Sequence, residues 1–386
     1  MSKPRVLFYV QYLEGIGHVV RARRIANELV RSGCDVALVL GGNPIPGFEL
    51  PGARIHQLPP LKASPDSYSK LLTEDGRPAD EDYKRARRHQ LLAIYETEQP
   101  DVLLTEAYPM GRWAMHFELE PLLARANDDT PRPMIVASLR DILQMPKTVE
   151  KAEKSIQLFE QFYDHMLVHG DPNLVRVEES FPPLAGCLEQ AHYTGIVAPE
   201  EDVSFGRQDE TFDVIVSGGG GAIGYDVLAA AIAAKPFSAL SKGAWLALAG
   251  PRMTEADFTK LATLAGTHDV QLERYRDGLT DLMAHAQISI QRAGYNTIAD
   301  MLIAGCRGVL VPDADGGQME QPLRAAKVAE LGRAVVVRED ELSASTLAAG
   351  IDRAMAMPAT KLELNFDGAT RSAEIICDLY RSYQGA

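Results

Sequence analysis

Short β-branched apolar runs alternate with longer amphipathic stretches along most of this chain, and the series begins twice. Buried parallel strands read this way, because crossover helices cover both faces of their sheet. The front half contains RVLFYV (5–10), DVALVL (35–40), DVLLTE (101–106), MIVASL (134–139) and HMLVHG (165–170). Helical stretches separate most of them, such as VRARRIANELVRSG (20–33), which stops at Gly33 as helix C-termini do. The back half opens with FDVIVSGGGG (212–221), followed by the helical AIGYDVLAAAIAA (222–234). AWLALAG (244–250), VQLERY (270–275), QISIQ (287–291), RGVLVP (307–312) and AVVVRE (334–339) then follow as strands. The expected fold is α/β, with two doubly wound Rossmann-like domains in tandem. The polar stretch HYTGIVAPEEDVSFGRQDE (192–210) reads as a hinge, which divides the chain into 1–200 and 201–365. Residues 60–90 fit neither pattern and read as an insertion or mobile loop.

With 386 residues, 46% of them hydrophobic, each domain can bury its own core. A net charge of −14 argues against a nucleic-acid partner, which would need a basic stripe. The basic cluster YKRARRHQ (83–90) follows the acidic EDGRPADED (74–82) and reads as a solvated helix face. Cys34, Cys187, Cys306 and Cys377 are scattered without metal-ligand spacing, so a reduced, cytosolic protein with no zinc site is expected. The apolar start is too short for a signal peptide. No run approaches the ~18–20 residues of a membrane span, although peripheral contact with a membrane stays open.

Chemistry-bearing residues gather where strands turn into helices. In EGIGHVVRARRIA (14–26) the turn carries Gly15 and Gly17, then His18 where a dinucleotide loop would run on toward a third glycine. A histidine at a helix front is favoured as the neutral imidazole, able to accept a proton or to hydrogen-bond a sugar or phosphate. A histidine satisfied by backbone would look the same. Glu14 and Asp141, in SLRDIL (138–143), are further candidates for a base. His169 and Asp171 lie at another strand end, where they line an acceptor or cap the next segment. Tyr108 and Trp113 divide between cleft lining and core. In SGGGGAIG (217–224), Gly218, Gly219, Gly220 and Gly221 form a strand-to-helix turn without the Lys-Ser/Thr of a Walker A loop. Such a turn brings backbone amides and a helix N-terminus to a phosphate, or is simply a tight connection. Farther on, Arg292, Ala293 and Gly294 open a helix carrying Asn296, Thr297 and Asp300. Asp300 either complements the helix dipole or accepts the two hydroxyls of a ribose.

Arg292-Ala293-Gly294, Thr297, Asp300, Ala304-Gly305, Pro312 and Glu320-Gln321 fall in one register. That register resembles the C-terminal domain of GT-B glycosyltransferases, most closely the MurG-like group (glycosyltransferase family 28-like), and within it the enzymes of bacterial polysaccharide clusters. The resemblance implies that Asp300 holds the nucleotide ribose and that Glu320 and Gln321 meet the donor sugar. It implies that the Gly218–Gly221 turn faces the donor phosphates and that Tyr275 and Arg276 lie beside the uracil. GIGH, with Gly17, is similar to a shortened form of the family's first glycine loop. Asp300 stands where glutamate is commoner, and Arg324 where asparagine is. The motifs are dense over 213–335 and thin over 40–195, the acceptor side. By the same resemblance the two domains face across a cleft, and 366–386 crosses back to pack on the first domain.

The expected activity is inverting, metal-independent transfer from a nucleotide sugar, a UDP-sugar above all, to a hydroxyl acceptor that is a glycan or lipid-linked. Helix-front amides and a cation such as Arg292 or Arg252 would stabilise the leaving diphosphate. The DAD at 313–315 resembles the metal-binding D-x-D of GT-A enzymes but falls in a loop of the GT-B register. No cofactor is expected. The place of action would be the cytoplasm, with the inner membrane face open. Two alternatives stand: a UDP-N-acetylglucosamine 2-epimerase, which shares the architecture, and a non-catalytic nucleotide-sugar-binding subunit.

Overall fold

The computed structural model describes residues 3–13, 17–64, 67–198, 210–218, 224–313, 318–358 and 363–384. The chain divides into two compact units. The first comprises Met1–Pro172, Arg176–Val197 and Asp367–Ala386; the second comprises Asn173–Val175 and Ala198–Phe366.

The first unit runs β1 (Arg5–Val10), α1 (Gly17–Arg31), β2 (Asp35–Leu40), β3 (Ala53–Gln57), β4 (Lys62–Ser64), β5 (Ser67–Leu72), α2 (Glu81–Glu98), β6 (Val102–Glu106), α3 (His116–Asn127), β7 (Met134–Arg140), α4 (Val149–Phe162), β8 (His165–His169), α5 (Val177–Ser180) and β9 (Ala191–Tyr193). Its seven-stranded sheet has the order β3-β2-β1-β6-β7-β8-β9, with every pairing parallel. Side chains of β1 alternate between two cores. Leu7 and Tyr9 pack with Leu91 of α2, Leu119 of α3 and Phe159 of α4, whereas Val6, Phe8 and Val10 pack with Ala22, Ile25 and Leu29 of α1. This burial on both faces is why the strand reads as an unbroken apolar run.

Most of the described residues within 60–90 lie in secondary structure, not in a mobile loop. β4 and β5 pair as an antiparallel hairpin, and α2 begins at Glu81, capped by Asp80, whose carboxylate accepts from Tyr83 N at 2.8 Å. The basic cluster is not uniformly solvated either. Arg87 is fully buried, its Nε donating to Glu118 Oε2 at 2.7 Å and its Nη2 to Gln11 Oε1 at 2.6 Å. Its Nη1 donates to the Gly41 and Pro59 carbonyls, and Tyr9 Oη donates to Glu118 Oε1 at 2.5 Å. Arg87 occupies the helix position that an apolar residue would otherwise hold, and a buried carboxylate across the interface makes that tenable.

The second unit runs β10 (Val214–Ser217), α6 (Tyr225–Ala234), β11 (Trp245–Leu248), α7 (Glu255–Thr267), β12 (Gln271–Glu273), α8 (Leu279–His285), β13 (Ile288–Gln291), α9 (Tyr295–Ile303), β14 (Arg307–Leu310), α10 (Glu320–Glu330), β15 (Ala334–Val336) and α11 (Ala344–Ala356). Its six strands are parallel in the order β12-β11-β10-β13-β14-β15. Val216, Trp245, Ile290 and Val309 pack against Leu228 and Ile232 of α6 and Leu347 and Ile351 of α11.

The last helix, α12 (Gly368–Tyr383), belongs to the first unit, where Ala373, Ile376 and Tyr380 join the cluster built on α1. Gly368 lies so close to the backbone of Ile196 that a Cβ there would stand 2.6 Å from the Ile196 carbonyl carbon. In both sheets the strand order reverses once, between β1 and β6 and between β10 and β13. Open α/β sheets bind ligands beyond the carboxyl ends of the strands at such switch points.

Candidate active site

At the first switch point, His18 in the opening turn of α1 meets Glu106, the last residue of β6. His18 Nδ1 lies 2.9 Å from Glu106 Oε1, and both side chains are buried. Arg140, the last residue of β7, donates from Nη2 to His18 Nε2 at 2.5 Å, so the ring proton resides on Nδ1 and is donated to Glu106. Arg21, one turn along α1, also donates to Glu106 Oε1. Glu106 Oε2 accepts from Ser138 Oγ at 2.6 Å; Ser138 Oγ is 2.9 Å from His169 Nε2, and His169 Nδ1 is 3.1 Å from Thr194 Oγ1. One buried carboxylate thus fixes the tautomer and plane of His18 and is itself held from three sides. That is how a base is oriented by a third group.

Burial holds the His18 imidazolium well below the usual histidine range, and the Arg140, Arg112 and Arg21 cations add to the shift. His169 is held down by burial, then by Arg21. Burial, followed by the Arg140 charge, brings the Arg112 guanidinium down to about 10. The two depressed histidines make stability depend on pH. Both are neutral in the folded and unfolded chain above about pH 6.5, and below it the unfolded chain takes up protons that the folded one refuses. Folding stability is therefore expected to fall as pH drops below about 6.5. Urea midpoints for the first unit, measured from pH 7.5 to 5.5 beside a His169→Gln variant, check this; a midpoint that does not fall over that range would refute it.

Among the other sequence candidates in this unit, Glu14 lies outside the described residues and Gly17 is the first residue of α1. Asp141 is buried just beyond β7, backed against Gly170. Tyr108 is core, and Trp113 donates from Nε1 to Ser155 Oγ at 3.2 Å. Glu106, Ser138, Arg140 and Arg21 escaped the sequence reading. The signal for Glu106 was available: an acid closing the apolar strand VLLTE, at the position where a sheet delivers side chains to its ligand end.

At the second switch point, Gly218 follows β10 and Gly224 is the N-cap of α6. A Cβ on Gly224 would stand 2.7 Å from the Gly218 carbonyl oxygen, so this turn closes on its own backbone. Gly219, Gly220 and Gly221 lie outside the described residues. After β13, Gly294 caps α9, and among the described residues nothing beyond its own chain neighbours lies within 4 Å of where its Cβ would be. Asp300 Oδ1 accepts from Thr280 Oγ1 at 3.1 Å, and Asn296 Oδ1 is a buried oxygen without a hydrogen-bond partner among the described residues. Thr297 is half-buried on the same helix, its carbonyl accepting from Gln291 Nε2 at 3.2 Å. Gln321 Oε1 accepts from Ala293 N at 3.1 Å and Asp313 N at 3.2 Å, tying the loops after β13 and β14 together. That double acceptance fixes the amide orientation and leaves Nε2 as the donor end.

Some candidates are engaged with protein partners. Arg292 Nη2 donates to Glu339 Oε1 at 2.5 Å. Arg276 is held by Glu273 and by Glu210 at 3.1 Å, its guanidinium 5.3 Å from the Phe212 ring. Tyr275 is 66% exposed and donates to Asp277 at 2.6 Å. Glu320 opens α10 and lies 3.1 Å from Arg324, which is buried and donates to the Ala293 carbonyl at 2.8 Å. Arg324, outside the carried-over motif, therefore supports the loop that Ala293 belongs to. Of the DAD stretch, Asp313 is described, and Ala314 and Asp315 lie outside the described residues. Among the described residues, no helix is long and apolar enough to cross a membrane.

Two Rossmann-type units in one chain, each with polar side chains at its switch point, define the GT-B class, and solved structures agree. The calicheamicin glycosyltransferase CalG4 superposes with a TM-score of 0.64 at 16% identity, covering 100% of this chain and 99% of that one. MurG of Acinetobacter baumannii gives 0.58 at 14% identity, covering 98% and 100%. Residues 216–376 match the glycosyltransferase family 28 C-terminal domain. The UDP-N-acetylglucosamine–N-acetylmuramyl-(pentapeptide) pyrophosphoryl-undecaprenol N-acetylglucosamine transferase of Thermotoga neapolitana is 36% identical over 90 residues, 22% of this chain and 26% of that one. Its counterpart in Exiguobacterium sibiricum is 24% identical over 149 residues, 35% and 41% of the two chains. The aligned stretches thus span between a quarter and two-fifths of these two relatives.

Proposed function

We propose that this protein transfers a sugar from a UDP-sugar to a hydroxyl acceptor with inversion and without a metal, His18 acting as base and Glu106 as its positioning partner. The observation that carries the reading is the buried His18–Glu106 pair at the first switch point, with a neutral imidazole whose Nε2 is turned away from its carboxylate. In the reaction the acceptor hydroxyl takes the place of Arg140 at Nε2 and gives its proton to that nitrogen. Its oxygen bonds to the anomeric carbon as the bond from that carbon to UDP breaks on the opposite face, so one displacement inverts the centre. Glu106 stabilises the imidazolium that forms. Arg140 and Arg112 add positive charge around the reacting groups.

The second unit is assigned the donor. Asp300 accepts the ribose hydroxyls, with Thr280 holding one of its oxygens in place. Gln321, its Oε1 engaged by two backbone amides, offers Nε2 to a sugar hydroxyl, and Glu320 accepts from another. Asn296 Oδ1, Gly294 and the Gly218–Gly221 turn complete the donor side with an acceptor atom, open space and amides for the diphosphate. Because the relatives are named for a pyrophosphoryl-undecaprenol acceptor, lipid-linked hydroxyl acceptors at the inner face of the membrane are the class to screen first.

Calorimetric titration with UDP, GDP and dTDP tests the donor assignment, without metal and then with magnesium. UDP is expected to bind without magnesium, and Asp300→Ala to weaken it about 30-fold, the worth of hydrogen bonds to a charged group. Absence of binding by any diphosphate, or binding only with magnesium, would overturn the assignment.

A further inference from the structure

The terminal helix α12 carries Cys377, and Cys34 sits between the Gly33 turn that ends α1 and the first residue of β2. Their Sγ atoms are 3.7 Å apart although the residues are 343 positions apart in sequence. Both are free thiols, Cys34 buried and Cys377 half-buried. The backbone on each side is held. Cys34 N donates to Leu29 O at 2.9 Å, and the Cys377 carbonyl accepts from Arg381 Nε at 3.2 Å. Cys377 opens onto a groove of about 620 Å³ lined by Lys3, Ser32, Glu374, Asp378 and Arg381, through which a small oxidant reaches it. We propose that Cys34 and Cys377 are a redox-modification site, forming a reversible disulfide that fastens α12 to the start of β2.

The two thiols differ in a way that assigns their roles. The hydrogen bond from Cys34 pushes the Cys377 thiol down to about 7, assisted by the Arg381 and Lys3 charges against opposition from burial and Asp378, while the Cys34 thiol is pushed up. Cys377 is therefore the attacking thiolate and Cys34 the resolving thiol. With hydrogen peroxide as oxidant, the Cys377 sulfur bonds to one peroxide oxygen and the O–O bond breaks, giving a sulfenic acid and hydroxide. The Cys34 sulfur then attacks the Cys377 sulfur and displaces its hydroxyl. Overall, two thiols and one peroxide give one disulfide and two waters. To form the bond, the sulfur atoms close from 3.7 Å to the bonding distance of about 2.05 Å. The other two cysteines are internal controls. Cys306 is buried, its thiol pushed up to about 12, and burial also raises that of Cys187.

The test uses the full reduced chain treated with stoichiometric hydrogen peroxide, then alkylated and digested without reduction. The expected product has lost two hydrogens in mass, yields one cross-linked peptide joining Cys34 to Cys377, and leaves Cys187 and Cys306 alkylated. Its melting midpoint is expected to rise by about 5 °C and to return on adding dithiothreitol, because the bond closes a very long loop in the unfolded chain. In Cys377→Ser no link forms. In Cys34→Ser the Cys377 sulfenic acid persists and is trapped by dimedone. A chain that takes up oxygen at Cys377 without forming the link, cross-links between chains, or oxidises Cys187 or Cys306 at an equal rate would overturn the assignment. So would a link that leaves the midpoint unchanged or lowers it, since the bond would then fasten nothing.

Discussion

Replacing His18 with alanine is expected to lower kcat by about 10³-fold while leaving UDP affinity unchanged within twofold, once a donor and acceptor pair is in hand. The magnitude is that of removing a positioned general base. The separation of effects follows from the chain's organisation, since His18 lies in the first unit and every residue assigned to UDP lies in the second. Glu106→Gln is expected to cost about 10²-fold, because the amide keeps the geometry near the ring but loses the charge that stabilises the imidazolium. The pH profile supplies a readout that a purely structural histidine would not give. With the imidazole held neutral well below the ordinary histidine range, kcat/KM should stay level as pH falls through 6.5 and decline only at lower pH. Retention of more than a tenth of the activity in His18→Ala would remove it as the base, and Asp141 would be the next residue to test.

The second large effect concerns stability. Arg87→Ala is expected to destabilise the first unit by about 3–5 kcal/mol, because Glu118 and the Tyr9 hydroxyl would remain buried without their cation. The Arg87→Met, Glu118→Leu double variant should recover most of that loss, since a well-packed apolar pair avoids desolvating either charge. Urea unfolding monitored by hydrogen exchange in peptides from α2 and α3 measures both. If the single variant loses less than about 1 kcal/mol, Arg87 has a route to water and the network is not what holds α2 to the sheet.

That network also marks where the sequence stopped being legible. The strands were plain, because burial on both faces leaves an unbroken β-branched run, and each strand named from the sequence overlaps an observed one. The basic cluster at 83–90 is a helix as its sequence suggests, but it is not wholly solvated, because α2 turns Arg87 inward on the same stripe as Leu91, Ile94 and Tyr95, and no hydrophobic periodicity counts an arginine as core. Only the far-off Glu118 makes that position apolar in effect. Asp80 did announce the helix start, but it lies in an acidic run where a cap is hard to distinguish from a solvated charge. The loops assigned to the donor were legible as a motif, since glycines and short polar residues stand there at fixed offsets. His18 was legible as a residue but not as a pair: its partner lies 88 positions away in sequence. Sheet order alone brings β1 and β6 together. Arg324 was seen only as a departure from a motif, whereas the fold uses it to hold the Ala293 carbonyl.

The return of α12 to the first unit has a consequence during synthesis. A ribosome delivers the β1–β9 region first, with the cluster built on α1 and β1 awaiting the members that arrive only after the whole second unit has emerged. Until Ala373, Ile376 and Tyr380 dock, that face of the nascent chain is an exposed greasy surface. The first unit to be made is therefore the last to be finished, and a transcript cut short anywhere in the second unit would release a protein with an open seam, fit for a chaperone or a protease rather than for work.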